Sequence, residues 1–515
     1  MKAMLKAVSK IVFSRTLIII LILLAQIAIM AVPFLYLRNY FPAILETVSV
    51  LGVIMLIIII NRDEPAEFKL TWAILICIAP VLGTMVYIFV QNNTGMIGLK
   101  KRMDKQQKAS WKHFYTSEGT RKALRRESMS FQGFTHFLEN SCKFPVYHNT
   151  YTQYFPTGEE YIEKLKEDLL SAKRYIFIEY FIIDRGKVWD SVLEILKQKV
   201  QEGVEVRVMY DGFCSVLLLP YKYPKKLKEF GIEAKMFAPI VPFLSTTQNS
   251  RDHRKIVVID GKVGYTGGVN LADEYVNLKV RFGHWKDGGI RIEGRAVMSF
   301  LLMFIQMWNL YGKENLDFDK YVHIEEDREY QEHDGFVIPY GDTPTTDTEI
   351  AKTVYEAIFT HACEYIHIMT PYFVVDREFL SIMRYAAERG IDIRIILPHI
   401  PDKKIAFYIA QTYYKELLKS GIRVYEYTPG FVHSKLMVAD DRMGTVGSVN
   451  LDYRSFYHHF ECGVYLYENS AIKSMEKDFN DTLEECIEVT VDYYKSIKWY
   501  QKVIGRVFRL IAPLM

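Results

Sequence analysis

One short pattern occurs twice in this chain, and the repeat constrains the fold more than any other feature of the sequence. The pattern is a His and a Lys two residues apart, an Asp five residues later, then a Gly and an Asn. Its first copy consists of His253, Lys255, Asp260, Gly267 and Asn270, and its second of His433, Lys435, Asp440, Gly447 and Asn450. Every position of the second copy lies 180 residues after its counterpart. Two matched copies of five fixed positions are not accidental, so the chain contains a duplicated unit.

The segments around the two copies also match. Apolar, strand-like runs alternate with helix-like stretches in each half of the chain. Residues 175–183, 203–210 and 231–237 are matched by residues 365–375, 390–397 and 421–427. This alternation predicts an α/β fold made of two copies of one domain, each a mixed sheet flanked by helices. We expect chemistry that is present in both copies to lie at their interface, in one shared active site.

Within each copy, the pattern predicts where the polar side chains lie. Residues 256–259 and 436–439 are short apolar runs of strand type. Alternation along a strand places His and Lys side by side at its start and Asp at its far end, where a turn follows. If the next strand pairs with the first, Asn lies beside His. Two facing half-sites then offer two imidazoles, two ammonium groups and two amides, which suits a phosphodiester.

These groups are sufficient for a two-step displacement at phosphorus. One imidazole attacks and forms a phosphohistidine, while the other protonates the leaving oxygen and then deprotonates the incoming alcohol. The lysines and amides neutralise the phosphate charge, so we predict no metal and no cofactor. The predicted catalytic residues are His253, Lys255, Asp260, His433, Lys435 and Asp440. For the two aspartates, a purely structural role in the turn is the alternative.

The paired pattern resembles the signature of the phospholipase D superfamily, over roughly residues 140–490. The resemblance implies two halves around one active site and a phosphohistidine intermediate. It also implies phosphate-binding residues and carboxylates that orient the histidines. At the matching positions, the phosphate ligands are Asn270, Asn450 and Ser448, and the carboxylates are Glu461 and Asp287. By similarity, His253 is favoured as the nucleophile and His433 as the acid and base, although the copies are nearly equivalent.

Further segments are similar to bacterial cardiolipin synthases. They are residues 249–255, 266–275 and 452–456, together with 70–72 and 80–83 near the N-terminus. This similarity implies a phosphatidyltransferase of the bacterial cell membrane that joins two phosphatidylglycerols and releases glycerol. A membrane phospholipase D that hydrolyses phospholipids is the alternative, and a membrane-tethered nuclease or a non-catalytic scaffold is a more distant one.

Three apolar runs occupy residues 17–37, 43–60 and 70–90. Each is long enough to cross a hydrocarbon core about 30 Å thick as a helix. We therefore predict that residues 1–92 anchor a multi-pass protein through two or three transmembrane helices. Basic residues lie both before the first run and after the last, so the sequence leaves the orientation and the number of spans open.

Composition predicts the remaining boundaries. Residues 93–140 are a basic linker with helical character near 111–126, residues 141–325 and 326–498 are the two phospholipase D-like domains, and residues 499–515 are an amphipathic basic tail. The tail suits a helix on anionic membrane lipid, with core packing as the alternative.

Apolar segments at 216–220 and 237–244 suit either loops that face acyl chains or ordinary core. A net charge of +3 gives no support for a nucleic-acid partner, and the oligomeric state is not predicted.

Overall fold

The computed structural model describes residue 28 and residues 42–90, 94–148, 150–214, 218–239, 249–312, 314–322 and 334–514. The predicted apolar run at residues 17–37 lies outside these residues, apart from residue 28. Parts of the predicted apolar loops at 216–220 and 237–244 lie outside them as well.

Strands and helices alternate in both halves, as the sequence predicts. The helices of the described residues are α1 Pro42–Ile60, α2 Ala66–Ile78, α3 Pro80–Val90, α4 Thr94–Ser110, α5 Glu118–Leu124, α6 Met129–Asn140, α7 Gly158–Ser171, α8 Lys187–Gln201, α9 Tyr223–Glu229, α10 Val297–Trp308, α11 Phe318–Tyr321, α12 Ile350–His361, α13 Arg377–Glu388, α14 Lys404–Lys419, α15 Ala471–Leu483, α16 Val491–Ser496 and α17 Trp499–Arg509. The strands are β1 Thr150–Phe155, β2 Tyr175–Tyr180, β3 Glu205–Asp211, β4 Glu233–Phe237, β5 Lys255–Ile259, β6 Val263–Gly267, β7 His284–Lys286, β8 Gly289–Gly294, β9 Phe336–Asp342, β10 Tyr365–Met369, β11 Phe373–Val374, β12 Asp392–Pro398, β13 Arg423–Tyr427, β14 Gly430–Val432, β15 Leu436–Ala439, β16 Met443–Gly447, β17 Leu451–Asp452, β18 Glu461–Tyr467 and β19 Cys486–Glu488.

The two main sheets repeat one strand order. The first is β1-β8-β6-β5-β2-β3-β4, and the second is β9-β18-β16-β15-β10-β12-β13 with β19 added at its edge. In each sheet the segment after the His-Lys pair runs antiparallel to its two neighbours, whereas β2-β3-β4 and β10-β12-β13 are parallel. The predicted duplicated α/β fold with two mixed sheets is confirmed.

One apolar cluster joins the two sheets. It contains Val258 of β5, Val438 of β15, and Phe300 and Phe304 of α10, all of them fully buried. Helix α10 is apolar on nearly every side, as a helix enclosed by other elements must be. Because β5 and β15 both belong to this cluster, the two His-Lys segments that precede them are held close to each other.

The apolar run at residues 70–90 does not form the single crossing that we predict from its length. Helix α2 ends at Ile78 and α3 begins at Pro80, because proline lacks an N–H group and its ring conflicts with the preceding helical turn. Gly83 then lies against α2, where an added Cβ would be 2.7 Å from the Leu75 carbonyl oxygen. The two helices are about 20 and 16 Å long. Within the described part of the chain, no helix is both long and apolar enough to span a bilayer.

The predicted basic linker at residues 93–140 consists largely of packed helices. Phe131, Phe134 and Leu138 of α6 are buried in the outer core of the second half, and Leu99 and Met103 of α4 join the cluster between the sheets. These side chains recur at the three- and four-residue spacing of one helix face. The basic residues of the segment therefore lie on the outer faces of helices that cover the core.

Candidate active site

The two histidines lie just before matching strands, and each is tied to the opposite half of the molecule. The backbone N–H of His253 donates to the carbonyl of Phe460 at 2.9 Å, and that of His433 donates to Lys286 at 2.7 Å. The strand that follows each histidine pairs antiparallel with the next one, β5 with β6 and β15 with β16. The predicted strand pairing is confirmed, and both motifs converge at the interface between the halves.

Each histidine is held by a carboxylate from the other half. Nδ1 of His253 lies 3.0 Å from both carboxylate oxygens of Glu461, and Nδ1 of His433 lies 2.6 Å from Asp287 Oδ2. All four side chains are buried. Because each Nδ1–H group donates to a carboxylate, Nε2 is the ring nitrogen left for chemistry. The structure thus places both predicted orienting carboxylates against the predicted histidines.

The two lysines are buried beside the histidines. Lys255 Nζ donates to the carbonyl of His253 at 2.6 Å, and Lys435 Nζ donates to the carbonyl of His433. Burial lowers the pKa of Lys255 to about 8 and that of Lys435 to about 7. Burial and the charges of Lys255 and Lys435, opposed by Glu461, lower the pKa of His253 to about 4. Burial and the same two lysine charges lower the pKa of His433 well below its usual range. Both cations therefore act on both imidazoles across one small volume.

The surroundings of Glu461 are polar. Its carboxylate accepts hydrogen bonds from the hydroxyls of Ser448 and Ser455, the latter at 2.7 Å, in addition to the bond from His253. The Nδ1 atom of His459 lies 3.6 Å from Glu461 Oε1. Burial raises the pKa of Glu461, but the adjacent imidazoles of His253 and His459 outweigh burial and hold this pKa well below its usual range. Glu461 is therefore an ionised partner for His253.

The surroundings of Asp287 are aromatic. The rings of Tyr275, Trp285 and Phe431 lie with their centres 5.2 to 5.7 Å from that of His433. Burial raises the pKa of Asp287 to about 6, although the charge of Lys435 opposes this shift. Asp287 is consequently less completely ionised than Glu461, although both histidines are equally buried.

The predicted phosphate ligands differ in their availability. Asn270 accepts a hydrogen bond from the Ile182 N–H at 3.0 Å through its side-chain oxygen, and its amide also hydrogen-bonds with the Tyr275 hydroxyl. Asn450 is buried, and its side-chain oxygen has no protein partner among the described residues. Ser448 instead donates to Glu461 and accepts from the Cys462 N–H at 3.0 Å. In this structure Ser448 holds the carboxylate, and its role as a phosphate ligand stays a prediction.

The structure does not bring Asp260 and Asp440 to the histidines, contrary to their prediction as catalytic residues. They follow the far ends of β5 and β15, about 16 Å along the strand from the lysine in the first copy. Asp260 accepts from the backbone N–H groups of Lys173, Arg174 and Tyr175, and Asp440 accepts from those of Cys363, Glu364 and Tyr365, at 2.6 to 2.9 Å. Both aspartates have a φ of 55°, as is common for Asp in turns. Their geometry matches the structural alternative.

His459 is a site residue that the sequence analysis missed. Its Nε2 lies 3.3 Å from Nη1 of Arg454, so the ring links that guanidinium to Glu461. It precedes Glu461 by two positions, and alternation along an extended segment places such residues on one face, which is the signal that could have revealed it. Among the described residues, His253, His459 and Glu461 form the trio whose donor atoms lie within 4.8 Å of one another, close enough to share a cation. In this structure the Glu461 carboxylate lies against Nδ1 of both rings.

Comparison with known proteins decides the family. The family described as "Cardiolipin synthase, PLD-like domain" matches residues 165–281 and 355–483. A cardiolipin synthase of Halalkalibacterium halodurans is 34% identical over 483 residues, which cover 92% of this chain and 93% of that protein. The chain belongs to the cardiolipin synthase family. An uncharacterized protein of Streptococcus mutans is 43% identical over 89% of this chain and 98% of its own length.

Membership confirms the predicted enzyme class, a phosphatidyltransferase of the phospholipase D superfamily. Residues 50–92, which include α2, α3 and most of α1, match the family described as "Phospholipase_D-nuclease N-terminal". Among solved structures, phosphatidylserine synthase from Haemophilus influenzae aligns over 76% of this chain and all of that chain. The TM-score is 0.57 and the identity is 15%. At that identity the likeness supports the fold alone, and it agrees with the duplicated sheets.

Proposed function

We propose that this enzyme transfers a phosphatidyl group from one phosphatidylglycerol to another through a covalent phosphohistidine. The observation that carries the proposal is the reciprocal pairing of His253 with Glu461 and His433 with Asp287. Each pair spans the two halves and leaves one imidazole Nε2 for chemistry. Two such nitrogens, with two lysines at the same interface, suit a nucleophile and a separate acid and base at one phosphorus atom.

In the first step, Nε2 of His253 attacks the phosphorus of a phosphatidylglycerol. The bond from phosphorus to the glycerol headgroup oxygen breaks, and that oxygen takes a proton from His433. The bound phosphate anion favours the protonated form of His433 beforehand, because an opposite charge raises an imidazole pKa. Lys255, Lys435 and the amides of Asn270 and Asn450 neutralise the non-bridging oxygens, whose charge grows in the transition state.

In the second step, the free headgroup hydroxyl of a second phosphatidylglycerol replaces glycerol in the site. His433, now neutral, removes the proton of that hydroxyl as its oxygen attacks phosphorus. The bond between phosphorus and His253 breaks, and the product carries two phosphatidyl groups on one glycerol. Both histidines return to their starting protonation states.

We assign His253 as the nucleophile because of its carboxylate. A phosphorylated imidazole that keeps its Nδ1 proton carries a positive charge, and an ionised carboxylate at hydrogen-bond distance stabilises that charge. The pKa of Glu461 lies well below its usual range, whereas burial raises the pKa of Asp287 to about 6. The stronger anion thus supports the ring on which positive charge persists. Ser448, Ser455 and His459 act as positioning residues through Glu461.

We also propose that residues 1–92 keep the enzyme in the bacterial cell membrane, where its substrates are. The apolar runs of the sequence support this, as do the exposed side chains of Val53, Ile54 and Ile57 on α1, since exposed apolar patches mark interaction surfaces. Resistance of the membrane-bound protein to extraction at alkaline pH tests the proposal, and release of the intact chain would contradict it.

The reaction is tested by supplying phosphatidylglycerol to the purified full chain and separating the products by mass. We expect cardiolipin and glycerol in equal amounts. Phosphatidic acid as the sole lipid product would identify a hydrolase, because the same residues serve water or an alcohol and exclusion of water decides between them. Mapping the phosphorylated peptide after a rapid acid-free quench then tests the nucleophile, which we expect at His253.

A further inference from the structure

Helix α17 presents an apolar stripe to the outside of the molecule. Trp499, Val503, Val507 and the following Leu510 recur at four- and three-residue spacing, which places them on one side of a helix. Their relative exposures are 75%, 47%, 56% and 49%. A helix packed on a globular core buries such a stripe, so this one is available for a partner outside the chain.

The opposite side of α17 is fixed to the second half. Gly505 lies so close to α14 that an added Cβ would be 2.2 Å from the carbonyl oxygen of Tyr408. The guanidinium of Arg509 lies 3.7 Å from the centre of the Tyr413 ring. Turning the apolar stripe inward would break both contacts. The outward orientation is therefore a property of the packing.

The charges carried by the segment that forms the stripe are all positive. Lys498, Lys502 and Arg506 recur four residues apart next to it, and residues 498–515 contain no Asp or Glu. An exposed apolar stripe with a Trp and flanking cations matches an anionic bilayer, since the apolar side chains enter the headgroup boundary and the cations meet lipid phosphates. A neutral protein surface has no negative charge to pair with these cations.

The segment that ends α17 packs against the N-terminal helices, which expose apolar side chains of their own. The Thr71 hydroxyl of α2 donates to the carbonyl of Leu510 at 2.7 Å. Leu514 packs against the cluster formed by Ile59, Trp72, Ile76 and Tyr87 of α1–α3. The large apolar side chains that α1–α3 expose are Val50, Leu51, Val53, Ile54, Ile57, Ile58, Ile60, Leu70, Ile78, Met85 and Ile88. Helix α17 and helices α1–α3 are therefore packed together, and their exposed apolar side chains are together called the apolar surface below.

This surface borders the active site. Nε2 of His458 lies 3.1 Å from the carbonyl of Pro513, and Phe68 of α2 packs edge-on against Tyr453 and Tyr457. The same segment carries Ser455 and His459, which contact Glu461. Docking through this surface thus brings a membrane next to the residues that hold the nucleophile.

We propose that α17, together with α1–α3, docks the enzyme on an anionic bilayer with the active site next to the lipid headgroups. The surface is not required by the chemistry proposed above, which needs a lipid substrate but no particular orientation. Only the turnover measurement below rests on the proposed reaction, because it needs the lipid substrate of that reaction. A second measurement, of the depth of Trp499, does not depend on turnover.

The turnover test uses the double variant Val503→Asp and Val507→Asp in the full chain. Both side chains are exposed, so the substitutions leave the core intact. We expect activity on phosphatidylglycerol vesicles to fall at least about tenfold, because the two new carboxylates cannot enter the apolar headgroup boundary as the valine side chains do. Activity on a short-chain phosphatidylglycerol below its micelle concentration should stay unchanged. Leu170→Asp is the matched control, since Leu170 is 46% exposed on α7, near the ends of the strands remote from the histidines.

The depth test compares wild type with Trp499→Phe on vesicles that contain brominated lipid. We expect wild-type fluorescence to be quenched more on phosphatidylglycerol than on phosphatidylcholine vesicles, and the difference between wild type and Trp499→Phe to account for the excess. Equal quenching in wild type and variant would overturn the proposal. So would an equal loss of activity of the double variant on vesicles and on monomeric lipid. If wild type makes no cardiolipin, the proposed reaction fails while the quenching result stands.

Discussion

The two half-sites share a motif but hold their histidines in different surroundings. Around His253, the carboxylate of Glu461 meets two serine hydroxyls and a second imidazole. Around His433, Asp287 lies among aromatic rings and its pKa is raised to about 6. Matched sequence therefore gives two equivalent imidazoles, and the neighbouring side chains distinguish them. Environments that separate the pKa values of paired groups commonly assign acid and base roles.

The sharpest way to break this comparison is to remove each histidine in turn. We expect His253→Ala to abolish phosphoenzyme formation with every substrate, a loss of about 10⁴-fold or more. His433→Ala should lose cardiolipin synthesis to a similar extent. It should still form the phosphoenzyme with a phosphodiester whose leaving group is a nitrophenolate, because that group departs without a proton. Burst kinetics measure this difference, and the reverse pattern would exchange the two roles.

A second contrast lies in the carboxylates. We expect Glu461→Gln to lower kcat/KM about 10³-fold, since His253 loses an ionised partner and its fixed tautomer. Asp287→Asn should cost about tenfold, because Asp287 is the weaker anion. Steady-state assays on phosphatidylglycerol measure both, with the exposed Asp481→Asn as the control for loss of a carboxylate. Equal losses in the two variants would show that the environments do not separate the roles.

The pH dependence of kcat/KM should reflect the free enzyme. His253 must be neutral to attack, and its pKa is lowered to about 4, so activity should fall as the pH decreases through about 4. His433 must be protonated, and its pKa is lowered well below its usual range, so activity should already decline with rising pH below neutrality. The decline should steepen through about pH 7 and 8, where Lys435 and Lys255 lose their protons. Lys435→Arg should remove the step near pH 7. A profile that is flat from pH 6 to 10 would contradict the role of the lysines.

A smaller effect is expected at His459, which contacts Glu461 rather than the substrate. His459→Ala should lower kcat about tenfold with little change in KM, because Glu461 loses an adjacent imidazole 3.6 Å away that helps to keep it ionised. His459→Asn should recover part of that loss through its amide N–H group. If His459→Ala changes KM and kcat equally, or if His459→Asn is no more active than His459→Ala, then His459 contributes only to packing.

The smallest effect on catalysis is expected at Asp260. Asp260→Ala removes the acceptor for three backbone N–H groups and should lower the free energy of unfolding by about 1–3 kcal/mol. The kcat of the folded fraction should stay near that of wild type. Thermal unfolding followed by activity at a permissive temperature measures both quantities. A large fall in kcat without a loss of stability would return Asp260 to the catalytic set.

The sequence predicts the fold well where hydrophobic periodicity and the internal duplication indicate the same elements. Residues 175–183 and 365–375 contain β2 and β10, and the repeated strand order places them at matching positions of the two sheets. Pro80 indicates the helical hairpin of α2 and α3, whereas the length of the apolar run predicts a single crossing. The basic residues of α4–α6 outnumber the apolar ones that reach the core, so composition alone predicts a linker there.

At the site, local motif spacing predicts the histidines and lysines, and the family resemblance supplies Glu461 and Asp287. The cross-pairing of these carboxylates depends on how two halves dock, which no local pattern encodes. Asp260 and Asp440 share a motif with the histidines, which predicts a common site, but the intervening strand separates them from the histidines. Ser448 and His459 act on Glu461 through contacts that only the folded chain brings together.

The reciprocal pairing also has a consequence for biosynthesis. His253 belongs to the half that leaves the ribosome first, whereas Glu461 is made more than 200 residues later. Until the second half has folded against the first, the imidazole of His253 has no fixed tautomer and no anion to stabilise a phosphoryl adduct. The nascent polypeptide is therefore inert toward the phospholipids around it, and activity begins only once the whole molecule is complete.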